Sequence, residues 1–152
     1  MTDTYAEEFY RGISTPNDIT PEGYLMAGAF KFDQYNPALR DDDGFCELSI
    51  NWNDSDDALT TLLNQHKPGK EEVQFRGGYC KISRILLHLA LKQYMDDQCF
   101  SYERRPVEAA EENDYQANPF HGNLLMKDSL DKNVKKNIQH SLAAIAGSVF
   151  TR

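Results

Sequence analysis

No stretch of the 152 residues approaches the ~18 consecutive apolar positions that a membrane-spanning helix requires. The longest apolar run, Ile85 to Leu91, is interrupted by His88. The first ten residues, MTDTYAEEFY, are acidic and hold no apolar core, so they do not read as a secretory signal. Cysteine is scarce: Cys46, Cys80 and Cys99 are widely spaced and form no CxxC pair. That pattern fits small buried hydrophobes in a cytosolic protein rather than a disulfide framework. Positive charge is in deficit, with 16 Lys and Arg against 24 Asp and Glu, a net charge of −8. Nucleic-acid binders usually carry a basic face, so this balance argues against a nucleic-acid partner. Gly-x-Ser-x-Gly, HExxH, Walker and dinucleotide-binding fingerprints are all missing.

What remains is enough for a core. At 17.4 kDa the chain has the length of one domain and buries roughly two-thirds of its unfolded surface without needing a metal or disulfide. With 40% hydrophobic and 11% aromatic residues it is not globally disordered. The charge is uneven. Residues 1–60 hold 13 acidic and 3 basic residues, whereas residues 61–152 hold 11 and 13. The first part forms an acidic surface suited to solubility or to docking on a basic partner.

Residues 1–9 read as a flexible tail and 10–152 as one α+β domain, a mostly antiparallel sheet of about four to five strands packed by about three helices. Tyr24 to Phe32, rich in aromatic and small residues, is predicted as a strand. Phe45 to Trp52 alternates, with Cys46, Leu48, Ile50 and Trp52 on the core face. A short helix follows, capped by Asp54 or Ser55, carrying Ala58, Leu59, Leu62 and Leu63, and ended by Pro68-Gly69. Val73 to Ile82 is predicted as a strand with a Gly77-Gly78 bulge, and Ser83 to Met95, apolar nearly all round, as a buried helix. Cys99–Val107 and Phe120–Met126 are further strands. Asp128 caps a last helix whose stripe of Leu130, Val134, Ile138, Leu142, Ile145 and Val149 follows steps of three and four. Ala143, Ala144 and Ala146 beside that stripe would let a second copy approach, so the helix at 129–149 is a candidate homodimer surface.

Several segments carry chemistry. Asn118-Pro119-Phe120-His121-Gly122 is a turn that can hold His121 at a fixed angle, as a general base or as a structural ring. It has no HxH, HxxxH or HxxE companion spacing, and Asp41-Asp42-Asp43-Gly44 lacks the alternation of an EF-hand, so no metal or cofactor is expected. Arg11 could bind an anion and Glu47 orient an imidazole. Phe75-Arg76-Gly77-Gly78-Tyr79 offers Arg76 and Tyr79 as a weak stacking surface, with Asn118 a further candidate binding residue. Lys127, Lys132, Lys135 and Lys136 read as a solvated helix face.

Tyr10-Arg11-Gly12-Ile13, Asp43-Gly44-Phe45-Cys46-Glu47-Leu48-Ser49-Ile50 and Asn118-Pro119-Phe120-His121 together resemble a family of small uncharacterised bacterial proteins. Gly122 stands where that family would have alanine. The resemblance spans most of residues 10–125 and implies a bacterial cytoplasmic accessory protein, without supplying a catalytic residue. Tyr10-Arg11-Gly12 also resembles the start of some ADP-ribosyltransferases, but the Ser-Thr-Ser-like strand and Gln/Glu-x-Glu motif do not follow in order. Two functional expectations result. One is a cytoplasmic, non-enzymatic protein-interaction module. The other is a hydrolase or transferase acting on a nucleotide or another anion, built on His121, Arg11 and Glu47.

Overall fold

The computed structural model describes residues 7–34, 45–67, 70–109, 116–127 and 132–150. Along them run β1 (Glu8–Ile13), β2 (Asp33–Gln34), β3 (Phe45–Trp52), α1 (Asp57–Leu63), β4 (Gly78–Ser83), α2 (Arg84–Lys92), β5 (Phe100–Arg104), β6 (His121–Lys127) and α3 (Lys132–Ala146). Five strands order as β4-β1-β3-β6-β5, each neighbouring pair antiparallel, and the short β2 adds to β3 opposite Cys46 and Glu47. The chain is a single α+β domain of the expected kind.

The alternation of β3 sets the two faces. Cys46, Leu48, Ile50 and Trp52 are all buried and point to one side. Their register partners Leu124 and Met126 of β6, and Phe9 of β1, join them, as does Ile82 of β4 through Phe9. Onto this face pack Leu87 and Leu91 of α2 and Ile138, Leu142 and Ala146 of α3, with Phe30 from a one-turn 3-10 helix at Ala27–Phe30. The opposite face carries Tyr10, Ser49, Asn51, His121 and Asn123. It is only partly closed by a smaller cluster of Tyr10, Ala58 and Leu62 with Phe75, Tyr79 and Phe120.

Several expectations change. Order begins before Tyr10, since Phe9 is fully buried within β1. Tyr24–Phe32 is not a strand. It turns back at Thr20–Tyr24 and coils at Ala27–Phe30, because Leu25, Ala29 and Phe30 are drawn under α3 while Tyr24 and Met26 stay exposed. The strand expected from Val73 starts only at Gly78. Val73 instead bridges His66, and Gly77 turns against Ile13. Neither Asp54 nor Ser55 caps α1: Asp56 holds that position with no side-chain bond, while Asp54 pairs with Arg104. Helix α2 is not buried all round; Ile85, Leu86 and Leu89 face outward. The expected strand at Cys99–Val107 shortens to Phe100–Arg104. Helix α3 stops at Ala146, short of the expected Val149; it closes the core through Ile138 and Leu142, with Val134 and Ile145 of the helix and Val149 beyond its end half-buried against the core. The predicted cap Asp128, Leu130, Pro68-Gly69 and the Asp41–Asp43 run lie outside the described residues.

Candidate functional site

The Asn-Pro turn is locked before it delivers His121. Pro119 keeps Asn118 extended. The Asn118 Oδ1 accepts the Phe120 N–H at 3.0 Å, and its Nδ2 donates to Asn51 Oδ1 at 2.7 Å, both asparagines being buried. The Asn118 main chain exchanges two bonds with Val107, 2.9 and 2.8 Å, and the Phe120 carbonyl accepts the Trp52 N–H. His121 then opens β6 directly opposite Asn51. Its Nδ1 lies 2.9 Å from the Arg105 carbonyl. A carbonyl only accepts, so Nδ1 carries the hydrogen and the neutral ring keeps its lone pair on Nε2. Burial pushes the His121 pKa down from 6.5; the Arg105 carbonyl and Glu103 pull it up, and the Arg105 charge pushes it down. The ring is held neutral, with Nε2 as its proton acceptor.

Arg11 arrives from a split in the sheet. β1 pairs with β3 only at Phe9 and Tyr10, then continues alone along β4. The guanidinium fills the gap. Nη1 donates to the Ser49 carbonyl at 2.7 Å, and Nε and Nη2 fork onto the Ala29 carbonyl at 3.1 and 2.8 Å. Ser49 is two residues from Asn51 on β3, about 7 Å along a strand, and His121 is one strand over, about 5 Å. The guanidinium and the imidazole therefore flank the same stretch of β3.

Both border a cavity of about 360 Å³ on the polar face of the sheet. Its sheet side is made by Arg11, Gly12, Ser49, Asn51 and His121. Ser14 and Lys31 flank it, and Gln65, His66, Gln74, Phe75, Val107 and Gln116 complete the wall. Gly12 is required here, because the Phe75 ring lies where a side chain would start. The lining includes two cations and, among the described residues, no carboxylate. The described lining is therefore formally positive, and a concave wall concentrates the field of such groups.

Glu47 does not line the cavity; it sits at the β2 end of β3, opposite Leu125. The expected grouping of His121, Arg11 and Glu47 thus contributes two members to one cavity. The carboxylate acting on His121 is Glu103, which also accepts from Asn123 Nδ2 at 3.1 Å. Arg76 is exposed and paired with Glu72 at 3.4 Å. Tyr79 meets Tyr10 edge to face and stacks on Phe150. Neither borders the cavity, and Asn118 supports it from behind. Sequence reading missed Lys31, His66 and the glutamines 65, 74 and 116. No spacing ties them together; they meet only through the strand order. Among the described residues no three His, Cys, Asp or Glu side chains gather closely enough to hold a metal ion, and no helix is long and apolar enough to cross a membrane.

Comparison of the chain with protein families, with curated proteins and with solved structures finds no match.

Proposed function

We propose that the protein binds a small anionic molecule in this cavity and that His121 moves a proton to or from it. The observation that carries this is one cavity wall holding a tautomer-fixed, neutral imidazole together with Arg11 and Lys31 and no lining carboxylate among the described residues. The buried polar support adds to it. Asn51, Asn118 and Asn123 are each at most 4% exposed, and apolar residues would fill a purely structural sheet face at lower desolvation cost. The three cysteines are thiols, two of them buried, which supports a reducing, cytoplasmic setting.

The test is a thermal-shift series with phosphate, sulfate and acetate at constant ionic strength. A ligand at 100 times its Kd stabilises the folded state by about 2.7 kcal/mol. Lys31→Ala, at an exposed position, should abolish the shift while leaving the unliganded midpoint unchanged. No shift with any anion would sink the reading.

A second reading, docking on another protein, is favoured by α2. Ile85, Leu86 and Leu89 are 61, 50 and 56% exposed and form one apolar surface on a single helix. Here the interaction would not use the α3 stripe, which the core already occupies. Light scattering on the unmodified protein and on Leu89→Ser distinguishes self-association through this surface from a monomer.

A further inference from the structure

Two imidazoles border the cavity, and the reading above uses only His121. His66 lies on the segment that leaves α1, arched by bonds from Gln74 N–H to the Gln65 carbonyl and from Lys67 N–H to the Glu72 carbonyl. Its Nδ1 is 2.5 Å from the Glu71 carbonyl, and its main-chain N–H donates to Gln116 Oε1 at 2.7 Å. Gln116 comes from the β5–β6 connection, so that segment holds the His66 main chain while the Glu71 carbonyl holds its ring. The Nδ1 of each histidine therefore donates to a main-chain carbonyl, and Nε2 is left in each as the nitrogen that exchanges protons. The environments differ. His121 is mostly enclosed and His66 is open to water.

We infer that His66 is the second proton-transfer group of the cavity and that the substrate class is a phosphoric ester. The inference rests on the anion-binding reading given above. A carboxylate spreads one charge over two oxygens and needs a single cation. A phosphoryl group carries its charge on three non-bridging oxygens, which two cations and the surrounding amide donors match. Its hydrolysis needs what two such imidazoles supply: an acceptor for the nucleophile's proton and a donor for the leaving oxygen. The neutral His121 Nε2 takes a proton from water as the water oxygen bonds to phosphorus. The bond from phosphorus to the ester oxygen breaks, and the imidazolium of His66 protonates the departing alkoxide. The products are the alcohol and inorganic phosphate, and solvent returns the proton from His121 to His66. Arg11 and Lys31 hold the non-bridging oxygens.

The full chain with inorganic phosphate as probe tests this by NMR of the ring nitrogens, His88 and His140 serving as internal controls because neither borders this cavity. Both His66 and His121 signals are expected to move and the other two to stay. If only His121 moves, the anion site stands and the role of His66 is overturned. If neither moves, the anion-binding reading falls as well. Hydrolysis of p-nitrophenyl phosphate supplies the chemical arm. His66→Gln and His121→Gln should each lower kcat/KM about 100-fold or more, with the far-UV circular dichroism of His66→Gln unchanged. An unmodified protein that binds phosphate but releases no nitrophenol overturns the ester class, and full activity in His66→Gln overturns the second proton donor.

Discussion

Gly122 sits between the candidate base and the core, and replacing it with alanine tests how the two are joined. The residue lies beside His121 and points to the core side of β6, opposite Ile50. A methyl there would fall inside contact distance of Trp52 Nε1 and of the Glu103 carbonyl. Those two atoms are themselves hydrogen-bonded at 3.4 Å, so the methyl enters between donor and acceptor. Trp52 has nowhere to retreat. Phe9 packs edge-on at 5.1 Å, and the Arg104 guanidinium covers the indole at 4.1 Å while bound to Asp54. Overpacking a filled core costs about 1–3 kcal/mol. Losing a buried hydrogen bond adds about 1 kcal/mol. Gly122→Ala should therefore destabilise the fold by about 2–4 kcal/mol, a large part of the 5–15 kcal/mol typical of a domain. Urea unfolding followed by tryptophan fluorescence reports this directly, because Trp52 is the single tryptophan and is 1% exposed. The midpoint should fall without a change in slope. Gly28→Ala is the control, since its new methyl would meet only Asp18 Oδ1, at 3.3 Å. A Gly122→Ala midpoint within about 0.5 kcal/mol of the parent would refute the packing argument.

Other outcomes follow from the same geometry. Asn118→Ala strands Asn51 Oδ1 and the Phe120 N–H, and should cost about 1–3 kcal/mol in denaturant unfolding; an unchanged midpoint contradicts the network. His121 has a lowered folded pKa, so below about 6.5 the unfolded chain takes up the proton first and stability falls with pH; thermal melts of His121→Gln should lose that part of the acid dependence, and a parallel curve would show that burial does not govern the ring. Burial pushes the Cys80 thiol up to about 12, so it should resist alkylation at pH 8, with half-buried Cys99 reacting first by mass spectrometry. Ile138→Asp places a carboxylate where the side chain is 1% exposed and should abolish the cooperative melt, whereas exposed Ala144→Glu should leave it intact.

Where residues repeat at the period of one element, local sequence was sufficient. β3 occupies Phe45–Trp52 as its alternation predicts, and the steps of three and four along α3 place Ile138 and Leu142 in the core. In both, side-chain direction follows from backbone geometry, so the pattern carries its own answer. The sequence likewise holds no apolar run long enough for a membrane-spanning helix, and the Asn118-Pro119 turn marked His121 as a residue held in place. The rest depended on neighbours distant in sequence. Tyr24–Phe32 has strand-like composition, yet the space beneath α3 bends it into a 3-10 turn. Helix α2 looks buried from its residues because nothing local states how many of its sides are covered. Glu47 and Arg11 read as equal companions of His121, but only the parting of β1 from β3 brings the guanidinium to the cavity, and only the β4-β1-β3-β6-β5 order sets His66, Lys31 and Gln116 around the same space. Periodicity is a property of one segment and is written along the chain. A cavity is a property of segments that meet, and that meeting is decided by burying the shared apolar face.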